Sequence, residues 1–285
     1  MGGERVGERN RHDGRARTLA LLGASHPEPA ATVTLAAGVL ALGAGRGLGT
    51  LLVLAAVGSG QLAVGWSNDY LDRNLDRAAG RPDKPISAGR VSARAVGLAS
   101  LLALAACVPL SLASGIASGL VHLIAVACAL AYNAGLKARP ASVVPYAVAF
   151  GLLPAVVTLG LPAPRWPPAW AFAAGALIGS GAHFTQVLPD IPSDRALGIA
   201  GLPQLLGQRA ATVAAALLLG TATVVLTFGP GRPGALQLLG LVIAAVLTVS
   251  ILVAAARGRT RAAFRLTLAV AAVAVLGFLA GGRSL

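Results

Sequence analysis

Long apolar stretches, separated by short polar segments, follow one another along the chain after residue 28. The stretches without charged residues are 29–45, 47–68, 95–136, 140–164, 166–189, 210–231, 233–256 and 266–282. A helix that spans a bilayer needs roughly 17–25 apolar residues, so most of these stretches fit one helix each. The stretch 95–136 is too long for one helix. Its centre, Ser111 to Gly119, is rich in Ser and Gly and predicts a turn, which brings the predicted number of spans to nine.

The pattern predicts an all-α, multi-pass membrane bundle of about nine helices around a central cavity that opens near the cytoplasmic side. Apolar and polar residues seldom alternate as the strands of a membrane barrel require. Prolines fall at or near the breaks, where they commonly end helices. We expect helices near 29–46, 49–71, 92–111, 117–133, 141–161, 168–188, 207–228, 234–256 and 263–281.

Charge defines the expected orientation. The 285-residue chain has 56% hydrophobic residues, a mean hydropathy of +0.76 and a net charge of +13. With nine spans and a cytoplasmic amino terminus, 19 basic residues fall inside and 4 outside, as the positive-inside rule requires. We therefore expect a carboxy terminus outside the cell membrane and no nucleic-acid partner. Residues 1–24 are predicted to be a disordered basic cytoplasmic tail, and 25–285 a single transmembrane domain.

Acidic residues are few and clustered. After Glu28 the chain has six, all of them aspartates, in the segments 68–85 and 189–198. A carboxylate held near hydrocarbon is costly, and such residues commonly mark functional sites. The two segments are therefore the predicted site of the chemistry.

The two acidic segments resemble each other at a constant offset of 118 residues. Both read DxxxDRAxG, followed by xxxxPxxxG. They follow the second and sixth predicted spans and so lie on the same side of the membrane. This pattern predicts a parallel repeat, 68–90 and 186–208, with two half-sites facing one cavity. A shared loop shape without shared chemistry is the alternative.

The spacing of the aspartates is typical of a metal site. Asp69, Asp72 and Asp76 would share one face of a helix, where they would repel one another unless cations lay between them. Asp190 and Asp194 flank Pro192, which argues against one uninterrupted helix there. Carboxylate oxygens suit Mg²⁺, and the lack of His or Cys in either cluster disfavours zinc or copper.

Basic residues beside these acids point to a phosphorylated substrate. They are Arg73, Arg77, Arg81, Lys84 and Arg195, with Lys137 and Arg139 on an intervening loop. Acids that bind Mg²⁺ next to bases that bind phosphate oxygens indicate a diphosphate site, with a lipid tail in the apolar bundle. Gln186 and His183, one and two turns before Asp190, are candidate substrate contacts, and a packed His is the alternative for His183. His122 is interpreted as a satisfied core residue.

These motifs resemble those of the UbiA superfamily of intramembrane prenyltransferases, over about residues 25–285. The NDxxDxxxD signature is present at Asn68, Asp69, Asp72 and Asp76, and the DxxxD signature at Asp190 and Asp194. The stretch 81–85 and the pair Tyr132 and Lys137 also match. Pro189 and Pro192 around the second signature are a departure from the family pattern.

The resemblance implies an enzyme, a prenyltransferase. Two Mg²⁺ ions, held by Asn68, Asp69, Asp72, Asp76, Asp190 and Asp194, would bind an isoprenyl diphosphate. Its oxygens would be neutralised by Arg77, Arg81, Lys84, Lys137 and Arg139, with Asn68, Gln186 and His183 as further substrate contacts. Loss of diphosphate would leave an allylic carbocation for an aromatic, quinone-precursor or other lipophilic acceptor. The catalytic candidates are Asp72, Asp190, Lys137 and Tyr132.

Two other functions fit parts of the sequence. A membrane terpene cyclase of the same superfamily would quench the cation internally and need no acceptor. An ion-coupled transporter could also use intramembrane aspartates, but such sites lie near the bilayer midplane. These aspartates fall at the predicted cytoplasmic ends of spans, which counts against transport. The abundance of Ala and of Arg over Lys favours a bacterial source.

Overall fold

The computed structural model describes residues 14–280, in which every regular element is a helix. The long helices are α1 (Pro27–Gly43), α2 (Gly49–Ala78), α3 (Ala93–Ala113), α4 (Ile116–Asn133), α5 (Val144–Thr158), α6 (Ala169–Val187), α9 (Gln208–Phe228), α10 (Ala235–Ala256) and α11 (Thr260–Ala280). Two short helices, α7 (Ile191–Ala196) and α8 (Leu202–Leu206), lie between α6 and α9. The 3₁₀ turns Leu136–Ala138 and Pro140–Val143 connect α4 to α5.

The long helices form a closed ring. Helices that are neighbours in the chain pack together, and α11 returns to contact α1 and α6. Small residues allow the closest approaches. A Cβ atom at Gly179 of α6 would lie 2.6 Å from the carbonyl oxygen of Tyr146 on α5, so only glycine allows these backbones to meet. This contact brings the side chains of α5 and α6 together at the centre of the ring.

The outer surface of the ring is apolar, as expected of a bundle in lipid. Within residues 14–280, seven helical segments are long and apolar enough to cross a membrane. Helix α1, with 17 residues, and α6 are not among them. Long helices occupy all the predicted positions, which confirms the all-α membrane bundle, but the predicted number of nine spans is not confirmed.

The structure differs from the predicted boundaries in two places. Residues 14–23 are helical rather than disordered, and residues 1–13 of the predicted tail lie outside the described range. Contact with α2 explains the added helix, because the Trp66 indole donates a hydrogen bond of 2.8 Å to the Leu21 carbonyl. Helix α2 also continues to Ala78, well past the predicted end at residue 71, because no helix breaker occurs before Gly80.

Arg46 contacts two helix ends at the side of the bundle opposite the aspartates. Its guanidinium donates to the Ser114 carbonyl and hydroxyl, both at 2.8 Å, and to the Val157 carbonyl at 3.2 Å. These are carbonyls at the ends of α3 and α5, which lack partners within their own helices. Arg46 therefore caps two helices from the connection between α1 and α2.

We expect Arg46→Met to lower the free energy of unfolding by about 2 kcal/mol, because several carbonyls at half-buried helix ends would lose their donors. Thermal unfolding of the purified protein in detergent measures the effect. Arg257→Met, at an exposed position, is the matched control and should leave the melting temperature nearly unchanged. Equal melting temperatures for the two variants would contradict the capping role of Arg46.

Candidate active site

The first aspartate motif lies on the last turns of α2. Asp69 and Asp76 are buried, and Asp72 is half-buried between them. Because α2 is continuous to Ala78, the three carboxylates share the helix face that the spacing predicts. Asn68 precedes them and donates to Asp72 Oδ2 at 2.9 Å. The first motif is therefore a single row of oxygen ligands along one helix.

The second motif is built on a break between helices. Helix α6 ends at Val187, Asp190 precedes α7, and Asp194 lies within α7. Pro192 occupies the first turn of α7, where a proline needs no backbone hydrogen bond, and the Asp194 amide donates to the Asp190 carbonyl at 2.8 Å. The predicted interruption between the two aspartates is therefore wrong, because the break lies before Asp190. Gln204 of α8 orients Asp194 by donating to Oδ2 at 2.7 Å.

The two motifs share backbone geometry after their last aspartate. Gly80 and Gly198, the equivalent glycines, have φ angles of 62° and 76°, which favour glycine. The amides of Arg81 and Ile199, one residue later, donate to the carbonyls of Asp76 and Asp194. The side chains diverge, because Arg195 caps the carbonyls at the end of α8 whereas its counterpart Arg77 is exposed.

Both motifs line one polar cavity of about 350 Å³. It contains most of the side chains that the sequence singled out: Asn68, Asp69, Asp72, Asp76, Arg81, Lys84, Tyr132, Lys137, Gln186, Asp190 and Asp194. Asp83 and Arg261 also reach the cavity. The chain thus brings together two segments that are more than a hundred residues apart.

Three of the five motif carboxylates already pair with a cationic side chain. The pairs are Asp69 with Lys84 (2.7 Å), Asp190 with Arg81 (2.7 Å), and Asp72 with Lys137. These bases lie within reach of any anion that enters the cavity. The bases and the carboxylates are therefore available to separate ligands, phosphate oxygens and metal ions, in the same space.

The donor set fits a hard divalent cation such as Mg²⁺. Asp69 Oδ2 and Asp76 Oδ2 are buried and have no hydrogen-bond partner within residues 14–280. Buried carboxylate oxygens are costly unless a cation or a donor meets them. Across the same range, no three His, Cys, Asp or Glu side chains converge closely enough to hold an ion as they stand. Mg²⁺ at this site would therefore combine one or two carboxylates with water and phosphate oxygens.

Hydrogen bonds, burial and nearby charges shift the pKa values of two carboxyl groups at the cavity mouth. Hydrogen bonds from Arg81 hold the pKa of Asp83 below its usual value, although partial burial opposes the shift. Burial and the nearby charge of Asp190 raise the pKa of Asp194, while the Gln204 amide opposes that rise. Arg261 adds a second contact to Asp83 at 3.3 Å. The loop that carries Arg81 is thereby tied to α11.

Three predicted substrate contacts do not line the cavity. Arg77 and Arg139 are exposed on the surface of the bundle. His183 is 1% exposed and its Nε2 bonds to the Ser142 hydroxyl at 3.0 Å, so it is the packed histidine of the alternative interpretation. The position of Arg77 follows from helix geometry. Arg77 comes one residue after Asp76 and therefore points away from the face that carries the aspartates.

Sequence reasoning missed several polar groups of the cavity. His26 bonds to Asp69 Oδ1 at 3.1 Å and contacts Lys84 Nζ at 3.1 Å. Asn133 lies outside the cavity lining but accepts a hydrogen bond of 3.3 Å from Asn68. His26 lies far from both motifs in the chain, at a position with a left-handed φ of 53°. No local pattern marks it, although Asn133 lies next to the predicted Tyr132.

Two apolar chambers adjoin the polar cavity. Chamber A, of about 110 Å³, lies among α1, α5, α6, α9 and α11. Chamber B, of about 160 Å³, lies among α1, α2, α4 and α5. Tyr146 and Phe150 line both chambers, and Gln186 lines both chambers and the polar cavity. The Tyr146 hydroxyl donates to Gln186 Oε1 at 2.8 Å, so this pair stands where the three spaces meet.

Comparison with known proteins finds relatives with the same architecture. An apo UbiA homolog from Aeropyrum pernix K1 superposes with a TM-score of 0.71 at 21% identity, covering 87% of this chain and 97% of that one. A UbiA homolog from Archaeoglobus fulgidus, bound to GPP and Mg²⁺, superposes with a TM-score of 0.64 at 16% identity, covering 90% and 99%. At these identities the likeness shows the fold.

A curated relative and a family model identify the sequence. The digeranylgeranylglyceryl phosphate synthase of Methanothrix thermoacetophila is 34% identical over 162 residues, 53% of this chain. The match covers 57% of the length of that relative. The model of the UbiA prenyltransferase family matches residues 30–273. With the membrane bundle and the two aspartate motifs, this match shows that the chain is a multi-pass membrane protein of the UbiA prenyltransferase family.

Proposed function

We propose that the protein is a Mg²⁺-dependent prenyltransferase, which moves an isoprenyl group from a diphosphate to a lipophilic acceptor. The observation that carries the proposal is the polar cavity, where both aspartate motifs and three paired bases meet beside two apolar chambers. A prenyl diphosphate has the matching form, a strongly anionic head on an apolar chain. The homolog bound to GPP and Mg²⁺ supports this substrate class.

Asn68, Asp72, Asp76, Asp190 and Asp194 would hold the metal, with Asp69 as a further candidate. Bound Mg²⁺ would supply charge stabilisation to the leaving diphosphate. Oδ1 of Asp69 is shared between Lys84 and His26, so only its buried Oδ2 is open to another ligand. Asp69 also holds Lys84 in place.

The paired bases would bind the phosphate oxygens of the substrate. When a diphosphate enters, Arg81, Lys84 and Lys137 can turn from their carboxylates to the phosphate oxygens, and the carboxylates become free for metal. Both changes favour departure of the diphosphate, the step in which negative charge develops. Tyr132, buried at the border with chamber B, is a donor to the leaving group or a ring face for the carbocation.

Charge balance in the cavity favours two ions. Six aspartates and four Arg or Lys side chains line it, a net charge of −2 when all are ionised. A diphosphate would add about −3. Two Mg²⁺ ions bring the total to about −1, whereas one ion leaves about −3, which is costly where water is scarce. We also propose that this end of the bundle and the amino terminus face the cytoplasm, because basic residues in the loops favour that side.

We expect Arg81→Gln and Lys137→Gln each to raise the KM for the prenyl diphosphate about tenfold to a hundredfold, because each would lose a charged hydrogen bond to phosphate. Arg77→Gln is the matched control and should change KM less than twofold, because Arg77 is exposed outside the cavity. Steady-state kinetics on the three variants make the measurement. A large effect of Arg77→Gln, with none from the other two, would contradict the arrangement.

A second acceptor class has support from the curated relative. Its name states that it makes digeranylgeranylglyceryl phosphate, so a glyceryl phosphate lipid is an alternative to an aromatic or quinone-precursor acceptor. A terpene cyclase would use the same cavity without any acceptor.

Product analysis separates these functions. Purified protein in detergent is incubated with Mg²⁺ and a panel of isoprenyl diphosphates, each with a phenol, with a glyceryl phosphate lipid, and alone. Transfer predicts one prenylated acceptor for each diphosphate released. A cyclic hydrocarbon formed without acceptor would show a cyclase, and no diphosphate release from any donor would overturn the proposal.

A further inference from the structure

Chamber B contains polar side chains that no other residue satisfies. Gln61, half-buried on α2, has no hydrogen-bond partner in the described part of the chain. His122 of α4 is 5% exposed, and its Nδ1 bonds to the Ser111 hydroxyl at 2.8 Å, which leaves Nε2 without a partner. An amide and an imidazole nitrogen that face this space without a protein partner are open to hydrogen bonds from water or a ligand.

The lining of chamber A is mostly apolar. The hydroxyls of Thr32 and Thr267, which line it, each bond to a backbone carbonyl of their own helix. At its border the Tyr146 hydroxyl donates to Gln186 Oε1. The rest of its described lining is apolar or glycine, apart from the indole N–H of Trp170. Chamber A therefore suits a hydrocarbon chain, and chamber B suits a molecule with oxygen or nitrogen atoms.

No Arg, Lys, Asp or Glu side chain lines chamber B within residues 14–280. An anionic group there would be desolvated without a partner, at a high free-energy cost. The polar cavity offers little compensation, because two Mg²⁺ ions and a diphosphate already leave it slightly negative. A second phosphate or a carboxylate on the acceptor would raise that negative charge.

We propose that chamber B is the acceptor site, and that Gln61 and His122 bind an acceptor whose head group is uncharged and forms hydrogen bonds. The prenyl chain of the donor lies in chamber A. This inference rests on the proposed transferase function. Asn68, Tyr132 and Gln186 line both chamber B and the polar cavity, so an acceptor in chamber B lies next to the diphosphate. A phenol or hydroquinone without an acidic substituent has the required chemistry.

Two matched probes test the charge requirement, 4-hydroxybenzamide and 4-hydroxybenzoate. Binding is measured calorimetrically to protein loaded with Mg²⁺ and a non-reactive prenyl thiolodiphosphate, so that no turnover is needed. We expect the wild type to bind the amide at least about tenfold more tightly than the carboxylate. Equal binding, preference for the carboxylate, or no binding of either probe would overturn the proposal.

Substitutions locate the acceptor in chamber B. Gln61→Leu and His122→Phe should each weaken amide binding about tenfold and leave the affinity for the thiolodiphosphate unchanged. Gln61→Arg should reverse the preference in favour of 4-hydroxybenzoate, an effect that a merely structural role would not produce. Ser59→Ala, on the same helix but outside both chambers, is the control and should change nothing. Unchanged amide binding in both Gln61 variants would place the acceptor elsewhere.

Different results would overturn the proposed transferase function and the assignment of chamber B. Absence of Mg²⁺-dependent diphosphate release from any prenyl diphosphate, with or without acceptor, would overturn the proposed function. If the wild type releases diphosphate but substitutions at Gln61 and His122 leave probe binding unchanged, only the assignment of chamber B would be overturned.

Discussion

Replacement of Asp72 or Asp190 by alanine is expected to abolish the release of diphosphate from an isoprenyl diphosphate. Each removes a carboxylate from a different motif, and both carboxylates face the same cavity. Loss of one ligand weakens metal binding, and it also removes the partner of Lys137 or one of the two partners of Arg81. We expect the rate to fall by about 10³-fold or more, as when several kcal/mol of charge stabilisation are lost.

Diphosphate release by the two purified variants, at saturating Mg²⁺, measures this effect. Glu28→Gln is the matched control, because Glu28 is an exposed carboxylate that pairs with Arg265 outside the cavity. It should retain the wild-type rate. Circular dichroism and gel filtration in detergent establish that the variants fold. Normal turnover in both Asp72→Ala and Asp190→Ala would contradict a shared site.

Removal of divalent metal should have an effect of similar size. Without Mg²⁺ the six aspartates of the cavity outnumber its four basic side chains, and a diphosphate would meet a net repulsion. We expect chelation to reduce both diphosphate affinity and turnover to background, and added Mg²⁺ or Mn²⁺ to restore them. The concentration dependence should be sigmoidal if two ions act together.

The control for metal removal is the folded state of the protein. The helical bundle has its own apolar core, so its melting temperature in detergent should fall only slightly after chelation. Turnover that persists in excess chelator would contradict a metal-dependent mechanism. Loss of fold on chelation would instead indicate a structural metal.

The sequence predicted the helices well because spans in lipid must be long, continuous and apolar. It also predicted that the two aspartate motifs face one cavity, from their offset and their position after equivalent spans. Proline within the second motif indicated a helix break, but the break lies before Asp190 and not between the two aspartates. These features depend on local composition or on simple periodicity.

Residues whose roles depend on distant contacts were not predictable. His26 enters the cavity because residues 14–23 pack on α2, and no motif marks it. His122 was interpreted as a satisfied core residue, but only one of its ring nitrogens has a partner. His183 appeared on the motif face of α6, yet Ser142 from another segment buries and binds it. Such positions follow from helix rotation and packing, which one sequence does not reveal.

Counting bound metal tests the two-motif site most directly. Binding of Mn²⁺ is measured by electron paramagnetic resonance, in the presence of a non-reactive prenyl thiolodiphosphate, for the wild type, Asp72→Ala and Asp190→Ala. We predict two spin-coupled Mn²⁺ ions per wild-type chain, and loss of the coupled signal in each variant. Uncoupled Mn²⁺ in the wild type, or an unchanged coupled signal in either variant, would contradict a metal site shared by the two motifs.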